Sequence, residues 1–159
     1  GKWFAFEHFG IQPDVVCLAK ALGNGFPIAA VWARKEVAAC LQAGDHGSTY
    51  GGNPLATAAA RKVLEIMERD QLADRAAALG VRLAAALAEL PRVTGVRGLG
   101  AMLAAELDEE ISKEVAERAT QGGLLVNPIT PTALRLTPPL TTTDAEIDEA
   151  IAILTGALA

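Results

Sequence analysis

The sequence predicts an α/β fold, and three observations carry that expectation. A short apolar run, Val15-Val16-Cys17-Leu18-Ala19, ends on Lys20 and a Gly23-Asn24-Gly25 turn, the pattern of a buried strand meeting a loop. Two long stretches, beginning at Pro54 and Leu72, space their apolar residues at helical period. Beyond Pro91, short β-compatible runs alternate with helical ones, as in a mixed α+β unit.

The 159 residues are 51% hydrophobic and 4% aromatic, a balance that suits a helix-rich globular chain able to bury one core. A net charge of −5 without a basic stripe argues against a nucleic-acid partner. No apolar run reaches the roughly 18 to 20 residues that span a bilayer, and no basic-then-apolar leader opens the sequence. Cys17 and Cys40 have neither metal-ligand nor CxxC spacing and read as reduced thiols, so a cytoplasmic setting is expected. His8 and His46 lie too far apart in sequence to suggest a metal pair.

In chain order, residues 1–13 read as a loop or short helix ending at Gln12-Pro13. Its aromatics Trp3, Phe4, Phe6 and Phe9 need a covering surface, and exposure of them would favour aggregation. Residues 26–33 form a second β-compatible run with Pro27 at its start. A short helix follows from Lys35 to Leu41, closed by Gly44, and residues 45–53 hold too many glycines to be regular. Pro54 can open a helix because its missing N–H is not needed there. Leu55, Ala59, Val63, Ile66 and Met67 then fall on one face. Asp70 is the expected cap of the next helix, whose inward stripe is Leu72, Ala76, Leu79, Leu83, Leu87 and Leu90.

Pro91 ends that stripe. Val93 to Val96 reads as a short strand weakened by Gly95, and Leu99 to Leu107 as a longer one. Ile111, Val115 and Ala119 mark a short helix ended by Gly122-Gly123. Leu124-Leu125-Val126 and Leu134-Arg135-Leu136 are further strands, the latter stopped by Pro138-Pro139. Thr143-x-x-Glu146 is a capping box opening a last helix with Ile147, Ile151, Leu154 and Leu158 inward.

Three places have chemical potential beyond packing. Lys20 stands where a strand ends, the usual location of ligand sites in α/β proteins. Partial desolvation there would lower its pKa and make the amine a Schiff-base nucleophile; a solvated lysine at a turn is the alternative. His46-Gly47-Ser48-Thr49-Tyr50-Gly51-Gly52-Asn53-Pro54 offers backbone N–H groups, hydroxyls and little Cβ bulk ahead of a helix, as a phosphate needs, or is an ordinary glycine-rich loop. Arg135, alone in an apolar segment, either faces water from an alternating strand or grips a carboxylate with two parallel hydrogen bonds.

The stretch from Asp14 to Pro27, followed by His46 to Pro54, resembles the class III pyridoxal-phosphate (PLP) aminotransferases, most closely their acetylornithine branch. The resemblance runs in order from Gly1 to the C-terminus. It implies the PLP-dependent transferase fold type I, with residues 1–70 the end of the large α/β domain and residues 71–159 the small C-terminal α+β domain. It also implies that Lys20 carries the cofactor covalently, and that Ser48 and Thr49 bind the cofactor phosphate of a neighbouring subunit. Arg135 would bind a substrate carboxylate. A homodimer with shared active sites would follow, moving an amino group from N2-acetylornithine to 2-oxoglutarate in arginine biosynthesis. The family's aspartate for the pyridine nitrogen, its Gly-rich phosphate turn and its stacking aromatic lie upstream of Gly1, so the isolated chain is expected to be inactive. Gly23-Asn24-Gly25 stands where the family often has three glycines. Two other readings are an aminotransferase for ornithine, succinylornithine or 4-aminobutyrate, and a non-catalytic dimerisation module.

Overall fold

The computed structural model describes residues 1–159, and its internal contacts separate two units: Phe4–Gln71, and Leu72–Ala159 together with Gly1–Trp3. No helix is long and apolar enough to cross a membrane.

In the unit Phe4–Gln71, the β-branched run folds as β1 (Val15–Leu18), and the end of the second apolar run as β2 (Ala30–Ala33). They pair antiparallel, Val15 opposite Ala33 and Leu18 opposite Ala30. The burial expected of this strand is not found: Val15 is 46% exposed, Trp32 is 53% exposed, and Cys17 also faces solvent. A two-stranded ribbon has two faces to cover, and this unit leaves them open. Ahead of it, a one-turn 3-10 helix (Ala5–Phe9) follows Phe4, whose ring stacks on Phe6 at 5.0 Å. These rings, with Ile11, Val16, Leu18 and Trp32, line an apolar recess of about 520 Å³.

The short helix forms as α1 (Lys35–Ala38), and α2 (Pro54–Arg69) begins where Pro54 predicts. Asn53 caps α2, its Oδ1 accepting from the Ala56 N–H at 2.9 Å. The buried residues are Ala56 and Ala60, with Ala59, Val63, Ile66 and Met67 half-buried beside them. Leu55 departs from the expected face and is 67% exposed, since one residue's step turns it about 100° from Ala56. Asp70 does not cap the next helix. It ends α2, and its carboxylate accepts two hydrogen bonds from Arg69, which hold it below the usual carboxylate range.

The second unit is built on α3 (Leu72–Ala88), whose inward residues Leu72, Ala76, Leu79, Leu83 and Leu87 are those of the predicted stripe. It packs on a four-stranded antiparallel sheet of β3 (Val93–Leu99), β4 (Met102–Leu107), β5 (Asn127–Thr130) and β6 (Ala133–Leu136), in the order β3-β4-β6-β5. The strand expected over 99–107 is the second arm of a hairpin: Leu99 pairs with Met102, and Gly100, at φ 53°, turns between them. A Cβ on Gly80 would strike the Gly100 carbonyl, so α3 lies against this turn only because position 80 is glycine. Gly95 sits at a bulge in β3.

The strand expected over 124–126 starts three residues later, as β5. Gly123 takes φ 93° and the Leu124 N–H donates back to the Ala119 carbonyl at 2.9 Å, so these residues close α4 (Ser112–Gln121) instead of pairing in the sheet. The last helix, α5 (Asp144–Leu158), opens on the predicted box. Glu146 accepts from the Thr143 N–H and hydroxyl, which hold its carboxyl below the usual range. One face of the sheet, carrying Leu103, Ala105, Leu134 and Leu136, forms the core with α3, α4 and α5. The opposite face carries the polar residues Arg97, Asn127 and Arg135.

Candidate active site

Beyond β1 the backbone is extended at Ala19 and then turns left-handed at Lys20, with φ 52°. A non-glycine residue in that region pays a steric cost unless its surroundings hold it. The holding is visible. Leu22 N–H bonds to the Ala19 carbonyl at 3.0 Å, Gly23 N–H to that of Lys20 at 3.1 Å, and Phe26 N–H to that of Gly23 at 3.1 Å. Gly23 is obligatory, because a Cβ there would strike the Phe26 carbonyl and approach Ile28 Cγ2 within 2.7 Å. Asn24 takes φ 46°, a conformation asparagine adopts more readily than most residues, so the departure from three glycines leaves the turn intact.

Lys20, Gly25, Phe26, Pro27 and Ile28 line a recess of about 380 Å³. The side chain is not desolvated as expected. Lys20 is exposed, because the ribbon that delivers it is uncovered in this unit. Asp14 pairs with Arg34 at 3.4 Å, and Arg34 also donates to the Gln12 carbonyl, which anchors the start of β1.

The loop ahead of α2 is fixed by backbone and Asn53 contacts. Gly51 N–H reaches the Ser48 carbonyl at 3.4 Å, and Asn53 Nδ2 donates to that of Tyr50 at 3.1 Å. Ser48 and Thr49 are exposed, their hydroxyls free of these bonds. A Cβ at Gly47 or Gly52 would meet open space, so the loop has room for a ligand. The helix terminus offers less than the sequence suggests. Pro54 has no N–H, and those of Ala56 and Thr57 are taken by Asn53. An anion here would rely on the hydroxyls and the loop's own N–H groups. α2 packs on the Lys20 turn, so both features hang on one helix, although neither Ser48 nor Thr49 lines the Lys20 recess.

In the other unit, Arg135 lies on β6 between the inward Leu134 and Leu136 and faces outward, as alternation predicts. Its Nη2 donates to Asn127 Oδ1 across the sheet at 2.9 Å. It stands at the rim of a cavity of about 580 Å³ formed with Leu125, Asn127, Thr137 and Pro138. Asn127 escaped the sequence reading because only strand register reveals that it opposes Arg135.

The family model described as aminotransferase class-III matches residues 1–158. The chain belongs to the class III aminotransferases. An acetylornithine aminotransferase of Gloeobacter violaceus is 46% identical over 164 residues, covering 100% of this chain and 41% of that protein. Among solved structures, ornithine aminotransferase from Toxoplasma gondii, with PLP partially occupying its active site, superposes with a TM-score of 0.89 at 34% identity. That match covers 99% of this chain and 39% of the other. Acetylornithine aminotransferase from Elizabethkingia anophelis gives a TM-score of 0.87 at 32% identity, over 99% of this chain and 43% of that one. The class III chain thus spans about two fifths of the length of the curated relatives it matches. Its fold is that of the fold type I PLP enzymes, and pyridoxal 5'-phosphate is the cofactor the family indicates.

Proposed function

We propose that this chain forms part of a PLP-dependent transaminase that moves an amino group from N2-acetylornithine to 2-oxoglutarate, a step of arginine biosynthesis in the cytoplasm. The observation that carries the reading is the Lys20 turn, a lysine fixed in a left-handed conformation beside an open recess, in a chain 46% identical to an acetylornithine aminotransferase. Residues 1–70 are assigned to the end of the cofactor-binding domain and residues 71–159 to the small domain. The residues present suit the cofactor: a free amine at Lys20 and free hydroxyls at Ser48 and Thr49. When bound, PLP supplies the electron sink for breaking a bond at the amine-bearing carbon.

Lys20 would hold the cofactor through Nζ, and its amine would move a proton at the substrate carbon as general base and then general acid. Ser48 and Thr49 would hold the phosphate in the neighbouring subunit of a homodimer, so that each centre needs two chains. Arg135, oriented by Asn127, would grip the substrate α-carboxylate and so aim the C–H bond. Alone, the 159-residue chain is expected to be inactive. An activity assay of the chain and of the full-length enzyme checks this, and transamination by the chain alone would refute it.

Three further outcomes are expected of the full-length enzyme. Arg135→Lys should raise the KM for 2-oxoglutarate about tenfold, since a point charge cannot reproduce the guanidinium fork. Steady-state kinetics read this, and a KM within about twofold of the parent would count against the role. Thr49→Ala should weaken PLP binding about tenfold in an equilibrium titration, the value of one hydrogen bond to a charged group; unchanged affinity would sink the assignment. N2-acetylornithine should be turned over faster than ornithine. Equal rates would favour the ornithine reading, which the Toxoplasma gondii likeness keeps in view.

A further inference from the structure

Asn127 and Arg135 stand opposite each other in the register of β5 and β6, both exposed and both lining the cavity of about 580 Å³. Directly opposed residues of an antiparallel pair point to the same face, which brings the two side chains within reach. Two local features put Asn127 there. Leu124 is claimed by the end of α4, so β5 begins at Asn127. Pro128 follows on the edge strand, the place in a sheet that tolerates a missing N–H.

The contact spends one Nη2 hydrogen of Arg135 on Asn127 Oδ1, at 2.9 Å. A guanidinium has five N–H groups, so one edge with two parallel donors stays whole for a carboxylate. The chemistry of the acceptor sets this arginine apart. Arg97 is paired with Glu106, Arg118 with Glu114, and Arg82 with Asp144 and Asp148. The remaining arginines also have a carboxylate within 4.0 Å, except Arg75, which donates to the carbonyls of Thr141 and Thr142. Arg135 is bonded to a neutral side chain and to no carboxylate of this chain, so its orientation is fixed while its charge is kept.

We infer that Asn127 is a positioning residue for Arg135 and that its neutrality is the property the site uses. It holds the guanidinium in place and leaves the positive charge to an incoming substrate carboxylate. A carboxylate at position 127 would accept the same hydrogen bond, but its own charge would compete with the substrate for the guanidinium. The inference rests on the proposed role of Arg135.

The test is steady-state kinetics of Asn127→Ala and Asn127→Asp in the PLP-loaded full-length enzyme, each also combined with Arg135→Lys. Asn127→Ala should raise the KM for 2-oxoglutarate about fivefold, with the loss falling on KM more than on kcat. Asn127→Asp, close in shape and able to accept the same bond, should raise it about tenfold or more. A residue that only supports the strand would give the opposite order, with Asn127→Asp close to the parent and Asn127→Ala worse. In the Arg135→Lys background, Asn127→Ala should add less than about twofold, because Asn127 acts through the guanidinium. Asn127 is exposed on an edge strand, so both variants should keep the parent's urea midpoint. Recovery of the parent KM by Asn127→Asp would overturn the inference, as would full additivity with Arg135→Lys. If Arg135→Lys raises the KM and neither Asn127 variant does, the Arg135 role stands and that of Asn127 falls. If Arg135→Lys leaves the KM unchanged, the Arg135 reading falls and takes this inference with it.

Discussion

Replacing Lys20 by Ala in the full-length enzyme is expected to lower kcat by roughly a thousandfold, the middle of the range for losing a positioned general acid–base. The substitution should leave the fold alone. Lys20 is exposed, and alanine pays about the same backbone cost as lysine at φ 52°. Lost activity would then report chemistry and not stability, which circular dichroism of the variant checks. A small primary amine added to Lys20→Ala should restore part of the rate if, as proposed, the missing amine moves a proton at the substrate carbon. Lys20→Arg should not respond, since guanidinium stays protonated at any working pH and fills the space. Borohydride reduction of the PLP-treated parent, followed by peptide mapping, should place the modification on Lys20 and spare the other lysines. Activity within about tenfold of the parent, or labelling elsewhere, would remove Lys20 from the centre of the mechanism.

Much of the helical framework was legible because its signals are local. The stripe from Leu72 to Leu90 needs only 3.6-residue spacing, and the Thr143–Glu146 box and the Pro54 start need only a residue type at one position. Strand limits were less legible, since a strand ends where a partner ends. Leu99 to Leu107 reads as one apolar run, yet Gly100 folds it into the turn between β3 and β4. Leu124-Leu125-Val126 has strand composition, but the preceding helix claims Leu124 through its N–H, and Leu125 is left 85% exposed.

The same division holds for the candidate site. Lys20, Ser48, Thr49 and Arg135 stand out by residue type and flanking glycines or apolar residues. Their supporting neighbours do not, because register and turn geometry make them neighbours: Asn127 beside Arg135, and Gly23 under the Phe26 carbonyl. Expected burial failed in one direction only. The β1–β2 ribbon has apolar composition, and burial requires a covering layer as well as an apolar side chain.

Leu87→Ala is expected to destabilise the chain by about 2–5 kcal/mol, because the cost joins a transfer term to a cavity term. Leu87 is 0% exposed on the inner face of α3 and belongs to the core that includes Leu83, Leu103, Leu134 and Leu154. Removing its outer carbons forfeits about 2 kcal/mol of burial at roughly 0.8 kcal/mol per group. The surrounding leucines are tied to a helix and a paired sheet, so they cannot all collapse into the space, and the remainder of the cost depends on how far they move. Urea denaturation followed by circular dichroism reads the change as a lower midpoint with an unaltered slope. Leu55→Ala is the matched control. It deletes the same atoms from a helix residue that is 67% exposed, and should shift stability by no more than about 0.5 kcal/mol. Equal losses from the two substitutions would mean that the sheet and its helices do not form a close-packed core. A large loss confined to Leu87 would tie the stability of the unit carrying Arg135 to the stripe on α3.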